Sequence, residues 1–172
     1  MISIPALSNL RTDVDIPEWI VSDPLAVPYL ADCNVPFILN GVDDDERPED
    51  FVSAVARFVA LTVADRDAAT PHVYRNFTAF RDAVGPDDVD ITVTDPRDIW
   101  KHVNPTAIHV SRRHRRDHSV YVQIVAECDW EVEHGLQIVL RDGHILSRVS
   151  DQDGHLTYAD AYDVPEEQDR IM

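Results

Sequence analysis

The sequence predicts an α+β fold, with an antiparallel β-meander of four or more strands in the C-terminal half packed against two main helices from the N-terminal half. Two observations carry this. Residues 120–130 alternate strictly, with Val120, Val122, Ile124, Ala126, Cys128 and Trp130 on one parity and Tyr121, Gln123, Val125, Glu127 and Asp129 on the other. Such period-two alternation is a strand with one face in the core. Residues 70–86, "TPHVYRNFTAFRDAVGP", place Val73, Phe77, Phe80 and Val84 at helical spacing between Thr70-Pro71 and Gly85-Pro86. Threonine can cap this helix, proline suits its first turn, and Gly-Pro ends it.

The elements follow in order along one expected domain, residues 1–172. Residues 1–34 are punctuated by Pro5, Pro17, Pro24 and Pro28 and read as an irregular segment anchored by Trp19 and Tyr29. Residues 35–104 carry a short strand and the helices. "VPFIL" (35–39) is a buried strand ended by Asn40-Gly41. A helix from Pro48 runs to about Asp65, with Phe51, Val55, Phe58, Val59 and Thr62 on one face. A shorter helix starts at Asp95-Pro96 and turns Ile99, Trp100 and Val103 inward. Residues 105–160 form the antiparallel sheet. A hairpin looping at Arg115 to Asp117 sets Ile108 opposite Ile124 and Val110 opposite Val122. A second, with Asp142-Gly143 as a two-residue turn, pairs Leu140 with Ile145 and Ile138 with Ser147. Residues 161–172 are an acidic tail expected to fray.

Composition bounds the function. The formal charge is −17, which disfavours nucleic acid and anionic membranes as partners. A basic protein partner, a GC-rich genome and adaptation to salt each fit this charge, and composition does not choose among them. No run of about 18 apolar residues suggests a membrane span, and the first residues carry no secretory pattern, so a cytoplasmic protein is expected. Cys33 and Cys128 lie far apart and read as two buried thiols.

Three stretches could carry chemistry. In "ECDWEVEHG" (127–135), Asp129, Glu131, Glu133 and His134 cluster, with Trp130 as the last core residue of its strand and Gly135 supplying a left-handed loop residue. Paired carboxylates can move protons, and histidine with carboxylates can hold a metal. A metal-dependent hydrolase built on Glu131, Glu133 and His134 is therefore the rival reading. Without a second clustered histidine or an HExxH pattern, a solvated partner-contact loop is preferred, with no catalytic residue, metal or cofactor assigned. In "SDQDGHLTYAD" (150–160), Asp151, Asp153 and Asp160 match positions of a calcium loop, but Val149 stands at the first ligand position, and a turn on Asp153-Gly154 is preferred. "RRHRRDH" (112–118) could grip phosphate, and His114 with His118 could share a metal. A solvated tip, or one salt-bridged to the protein's own acids, is preferred in so acidic a chain.

The run "CDWEVEHGLQIVLRDG" (128–143) resembles a bacterial family of uncharacterised domains that carry a W-E-x-E-H-G-L-like segment between two strands. The matching residues are Trp130, Glu131, Glu133, His134, Gly135 and Leu136, then Asp142-Gly143 and Asp153-Gly154. "DIWKHVNPTAIHV" and "HSVYVQIVAE" fit that layout as well, so the likeness spans about residues 48–158. The resemblance implies no transferable enzymatic activity. Small acidic α+β domains of this style are similar to immunity proteins that mask a toxin, which implies a non-enzymatic binding protein with Asp129, Glu131, Glu133 and His134 as contacts.

Overall fold

The computed structural model describes residues 2–172 and has an α+β architecture built on a large, mostly antiparallel sheet. In chain order the strands are β1 (Arg11–Thr12), β2 (Trp19–Val21), β3 (Leu25–Val27), β4 (Cys33–Val35) and β5 (Phe37–Asn40), then β6 (Val103–Arg112), β7 (Val120–Cys128), β8 (Glu131–Arg141) and β9 (Ile145–Ser150). The helices are α1 (Glu49–Val59), α2 (Thr70–Val84) and the single turn α3 (Tyr158–Ala161). Among the described residues, seven strands join in the order β1-β2-β5-β6-β7-β8-β9, while β3 and β4 form a separate pair.

Residues 1–34 are not irregular throughout: they carry the short strands β1 to β3 and the start of β4, and β2 joins the sheet by pairing with β5. The β5–β6 pairing is parallel, with Phe37 opposite Ile108 and Leu39 opposite Val110. A parallel pair needs a long crossover, and residues 41–102, with both main helices, supply it.

The core face follows the alternation in β7. Val120, Val122, Ile124, Ala126 and Cys128 are all buried, with Ile108 opposite Ile124 and Val110 opposite Val122. Helix α1 packs on β7 with Phe51, Val55 and Phe58 fully buried; it ends at Val59, not Asp65. The chain turns at Ala60-Leu61 and restarts as a 3-10 helix at Thr62, whose backbone N–H and hydroxyl both donate to the Asp65 carboxylate. Helix α2 sits against β9, with Val73 and Phe77 fully buried. Its cap is Ala69 and not Thr70, whose hydroxyl donates to Arg66 O and accepts the Trp100 Nε1–H.

The helix at Asp95 is of the 3-10 type, Pro96–His102, and the Asp95 carboxylate accepts the Arg97 N–H at 2.9 Å. Asp95→Ala is expected to lower stability by about 1 kcal/mol, the usual worth of such a cap, read as a shifted urea midpoint with unchanged slope.

The last hairpin differs from expectation by one residue. Arg141 pairs with Ile145 around a three-residue loop, Asp142-Gly143-His144, and Leu140 pairs with Leu146. Beyond a bulge the register becomes Ile138 with Val149. Gly143 fixes this geometry: its φ is +80°, and a Cβ there would lie 2.0 Å from the Ala54 carbonyl oxygen of α1.

The opposite sheet face is partly covered by residues 151–172, so the tail is packed on the body of the protein. Ile171 packs against the core and Val149 N–H donates to Met172 O at 3.2 Å along the free edge of β9. Beneath this segment Tyr121, Val139 and Arg148 are buried. Both cysteines are free; Cys128 is buried, whereas Cys33 is only half-buried. Among the described residues, no helix is long and apolar enough to cross a membrane.

Candidate functional site

The corner at residues 128–136 is more tightly built than a loop. Cys128 pairs with Glu131, so Asp129-Trp130 is the turn and strand β8 begins at Glu131. The next pair is Ala126 with Leu136, which leaves Glu127 facing Val132 to Gly135. Those four residues bulge from the sheet edge. Gly135 makes this possible with φ +66°; a Cβ there would meet the Ala126 carbonyl at 2.6 Å.

Glu131 is buried, a correction to its expected place on an exposed loop. Its Oε1 accepts the Glu133 N–H at 2.9 Å and its Oε2 the His134 N–H at 2.9 Å. His134 Nδ1 lies 3.0 Å from the same Oε2. The acid thus satisfies the backbone of its own bulge. Glu133 points away from it into solvent, and the three side chains of the rival hydrolase reading do not converge on a shared point.

The neighbours brace this corner. Trp130 is 3% exposed; its indole N–H donates to Asn76 Oδ1 at 2.9 Å and its ring meets Phe77 edge-on. Asp129 Oδ2 lies 2.8 Å from His102 Nδ1, and Asp129 N–H donates to His102 O. Burial pushes the Cys128 thiol up to about 11, so it carries no thiolate near neutral pH.

Between this corner and the end of α2 lies an open groove of about 570 Å³. Phe80, Val84 and Val132 give it an apolar floor, with Val132 86% exposed. Asp88, Asp129, Glu133 and Asp151 rim it, and among the described residues no lysine or arginine lines it.

The other candidate stretches resolve into internal ion pairs. Arg112, 7% exposed, makes a bidentate contact with Asp45 at 2.7 and 2.9 Å and reaches Asp50 at 2.9 Å. That hydrogen-bonded guanidinium holds Asp45 below the ordinary carboxylate range. Arg113, on the opposite face, is 2% exposed and binds Asp160, Glu166 and Thr157. Arg116 joins the same two acids. The tip itself, residues 114–118, is exposed, while Arg112 and Arg113 at its base are buried against the protein's own carboxylates, the salt-bridged form of the expected loop. The calcium-loop residues scatter: Asp151 accepts from Asn76, Asp153 pairs with Arg148, and Asp160 with Arg113. Burial works against the charge on Asp153, but the paired Arg148 still holds it below its ordinary range. Among the described residues, no three His, Cys, Asp or Glu side chains converge as metal ligands, and this holds for His114 and His118 too.

Sequence reasoning missed the anchoring roles of Asn76, Arg112 and Arg113. Parity offered one signal. Arg112 continues the even face of Ile108 and Val110, which points it at the acidic start of α1.

A family model described as "Domain of unknown function (DUF6985)" matches residues 7–156. The chain belongs to this family. The DUF6985 match takes in the N-terminal strands that the sequence resemblance left aside, and it includes the whole 128–136 corner. The segment carrying α3 and the Asp160 and Glu166 contacts lies beyond it. No curated protein and no solved structure matches the chain.

Proposed function

We propose that this DUF6985 chain is a non-enzymatic binding module that docks and masks a basic segment of a protein partner at the 129–134 corner. The groove beside that corner carries the reading. It offers exposed apolar surface, from Val132 and Val84, inside a rim of carboxylates with no lysine or arginine among its lining residues. Apolar floor plus like-charged rim suits a cationic amphipathic segment, whose basic side chains pair with Asp88 and Glu133 while its apolar face covers Val132. The formal charge of −17 would speed the encounter and repel acidic competitors. A masking role of the immunity type is the form this reading takes; Glu131 shapes the bulge, and Glu133 and Asp129 touch the partner.

The hydrolase reading is weaker, because both oxygens of Glu131 are occupied by backbone N–H groups.

The test is affinity capture with the intact chain, followed by titration of the captured partner. The combined variant Asp88→Asn, Glu133→Gln is expected to weaken that partner about tenfold. This corresponds to roughly 0.2–1 kcal/mol for each exposed ion pair removed. The unfolding midpoint should not move, since both residues are exposed. Undiminished affinity in the double variant, or a partner without net positive charge, would sink the proposal.

A further inference from the structure

A second, smaller pocket lies between α2 and the free edge of β9, with a volume of about 180 Å³. Its lining includes His72, Arg75 and Ala79 from α2, and Arg148, Val149 and Asp151 from the edge strand and its exit. Tyr162 and Met172 line it too, and both are among the large apolar side chains left exposed.

Three features set it apart. Among the described residues, only three buried side-chain nitrogen or oxygen atoms lack a hydrogen-bond partner: His72 Nδ1, Arg81 Nε and Arg148 Nε. His72 lines this pocket from α2, whereas the Arg148 guanidinium is turned to Asp153. Buried polar atoms are nearly always paired, so the unpaired His72 ring nitrogen asks for a partner. Next, Arg75 is exposed and its guanidinium makes no hydrogen bond or ion pair among the described residues, in a chain where acids outnumber Lys and Arg by 32 to 15. Finally, an acid stands near this free cation. Asn76, the residue after Arg75, holds Asp151 Oδ1 at 3.0 Å, so positive and negative charge flank one cavity with apolar walls.

Drug-sized ligands and cofactors occupy pockets of roughly 300–1,000 Å³, too large for this one. A small molecule with one charge of each sign and a short apolar body matches the cation, the acid and the apolar wall. We propose that the pocket between α2 and β9 binds a free α-amino acid with a compact apolar side chain. Its carboxylate lies at Arg75 and the His72 ring, its ammonium faces Asp151, and its side chain packs on Ala79, Val149 and Tyr162.

The probe is leucine, titrated into the intact chain and followed by calorimetry and by the NMR signals of the His72 ring. Saturable one-to-one binding is expected. Arg75→Gln should weaken it at least tenfold, and Ala79→Trp should abolish it by filling the cavity. Both positions are exposed and lie outside the acidic groove, so both variants should keep the wild-type unfolding midpoint and the same capture of a basic partner. 4-Methylvalerate, which is leucine without the ammonium, and isoamylamine, which is leucine without the carboxylate, should each bind at least tenfold more weakly. The proposal is overturned if leucine does not saturate, if 4-methylvalerate binds as well as leucine, or if binding is indifferent to both substitutions.

Discussion

Trp130→Ala should destabilise the protein by about 3–5 kcal/mol, the usual cost of truncating a buried large aromatic. Two interactions disappear at once. The ring leaves a void against Phe77, and Asn76 Oδ1 is left without its donor. Trp130→Phe separates them, because it keeps an aromatic body and removes only the N–H. That variant should cost about 1–2 kcal/mol, in the range of one hydrogen bond plus slightly poorer packing. Urea midpoints measure both. If Trp130→Ala left the midpoint unmoved, the corner would not be anchored to α2 as described.

Arg113→Ala carries a comparable cost, about 3 kcal/mol. Removing one member of a buried, hydrogen-bonded charge group typically costs about 3–5 kcal/mol, because the partners are left uncompensated. The lower end applies here, since Glu166 is 44% exposed and can hydrate once released. The destabilisation should depend on pH in a definite sense. Hydrogen bonding to Arg113 holds both Asp160 and Glu166 below the ordinary carboxylate range in the folded protein. A carboxylate with a depressed folded pKa contributes stability above its unfolded value, near 4, and that contribution vanishes as pH falls through the folded value. The gap between wild type and Arg113→Ala should therefore be full at pH 6–7 and narrow steadily below about pH 4. Parallel stability curves over that range would mean that Arg113 holds the tail by packing alone.

Much of the sheet was legible because parity is a local signal. The β7 alternation gave the core face, and with it the pairing of Ile108 with Ile124. Non-local features were not legible. Nothing within "VPFIL" says that the strand joins β6 in parallel, since its partner lies beyond both main helices. The Asp142-Gly143 pair suggested a two-residue turn, yet the close approach of Gly143 to Ala54 belongs to helix–hairpin packing and selects a three-residue loop. At the candidate site the identities of Asp129, Glu131, Glu133 and His134 stood out, but their division of labour did not. Glu131 turned inward because the bulge left two N–H groups that needed an acceptor. The arginines of 112–118 read as a polar tip because their acidic partners, Asp45, Asp160 and Glu166, are remote in sequence.

The parallel junction of β5 with β6 also sets an order of events during synthesis. Helices α1 and α2 leave the ribosome after β1, β2 and β5 but before any of β6 to β9 exists. Phe51, Val55, Phe58, Val73 and Phe77 then lack most of the sheet they cover. At roughly 5–20 residues per second, the stretch through Ser150 takes several seconds more to appear. Throughout that interval the nascent chain displays two apolar helical faces, a target for chaperones, and β5, with β2 on one side, waits for its second neighbour. The hairpins from β6 onward close locally once translated, so the first half of the chain is completed by the second.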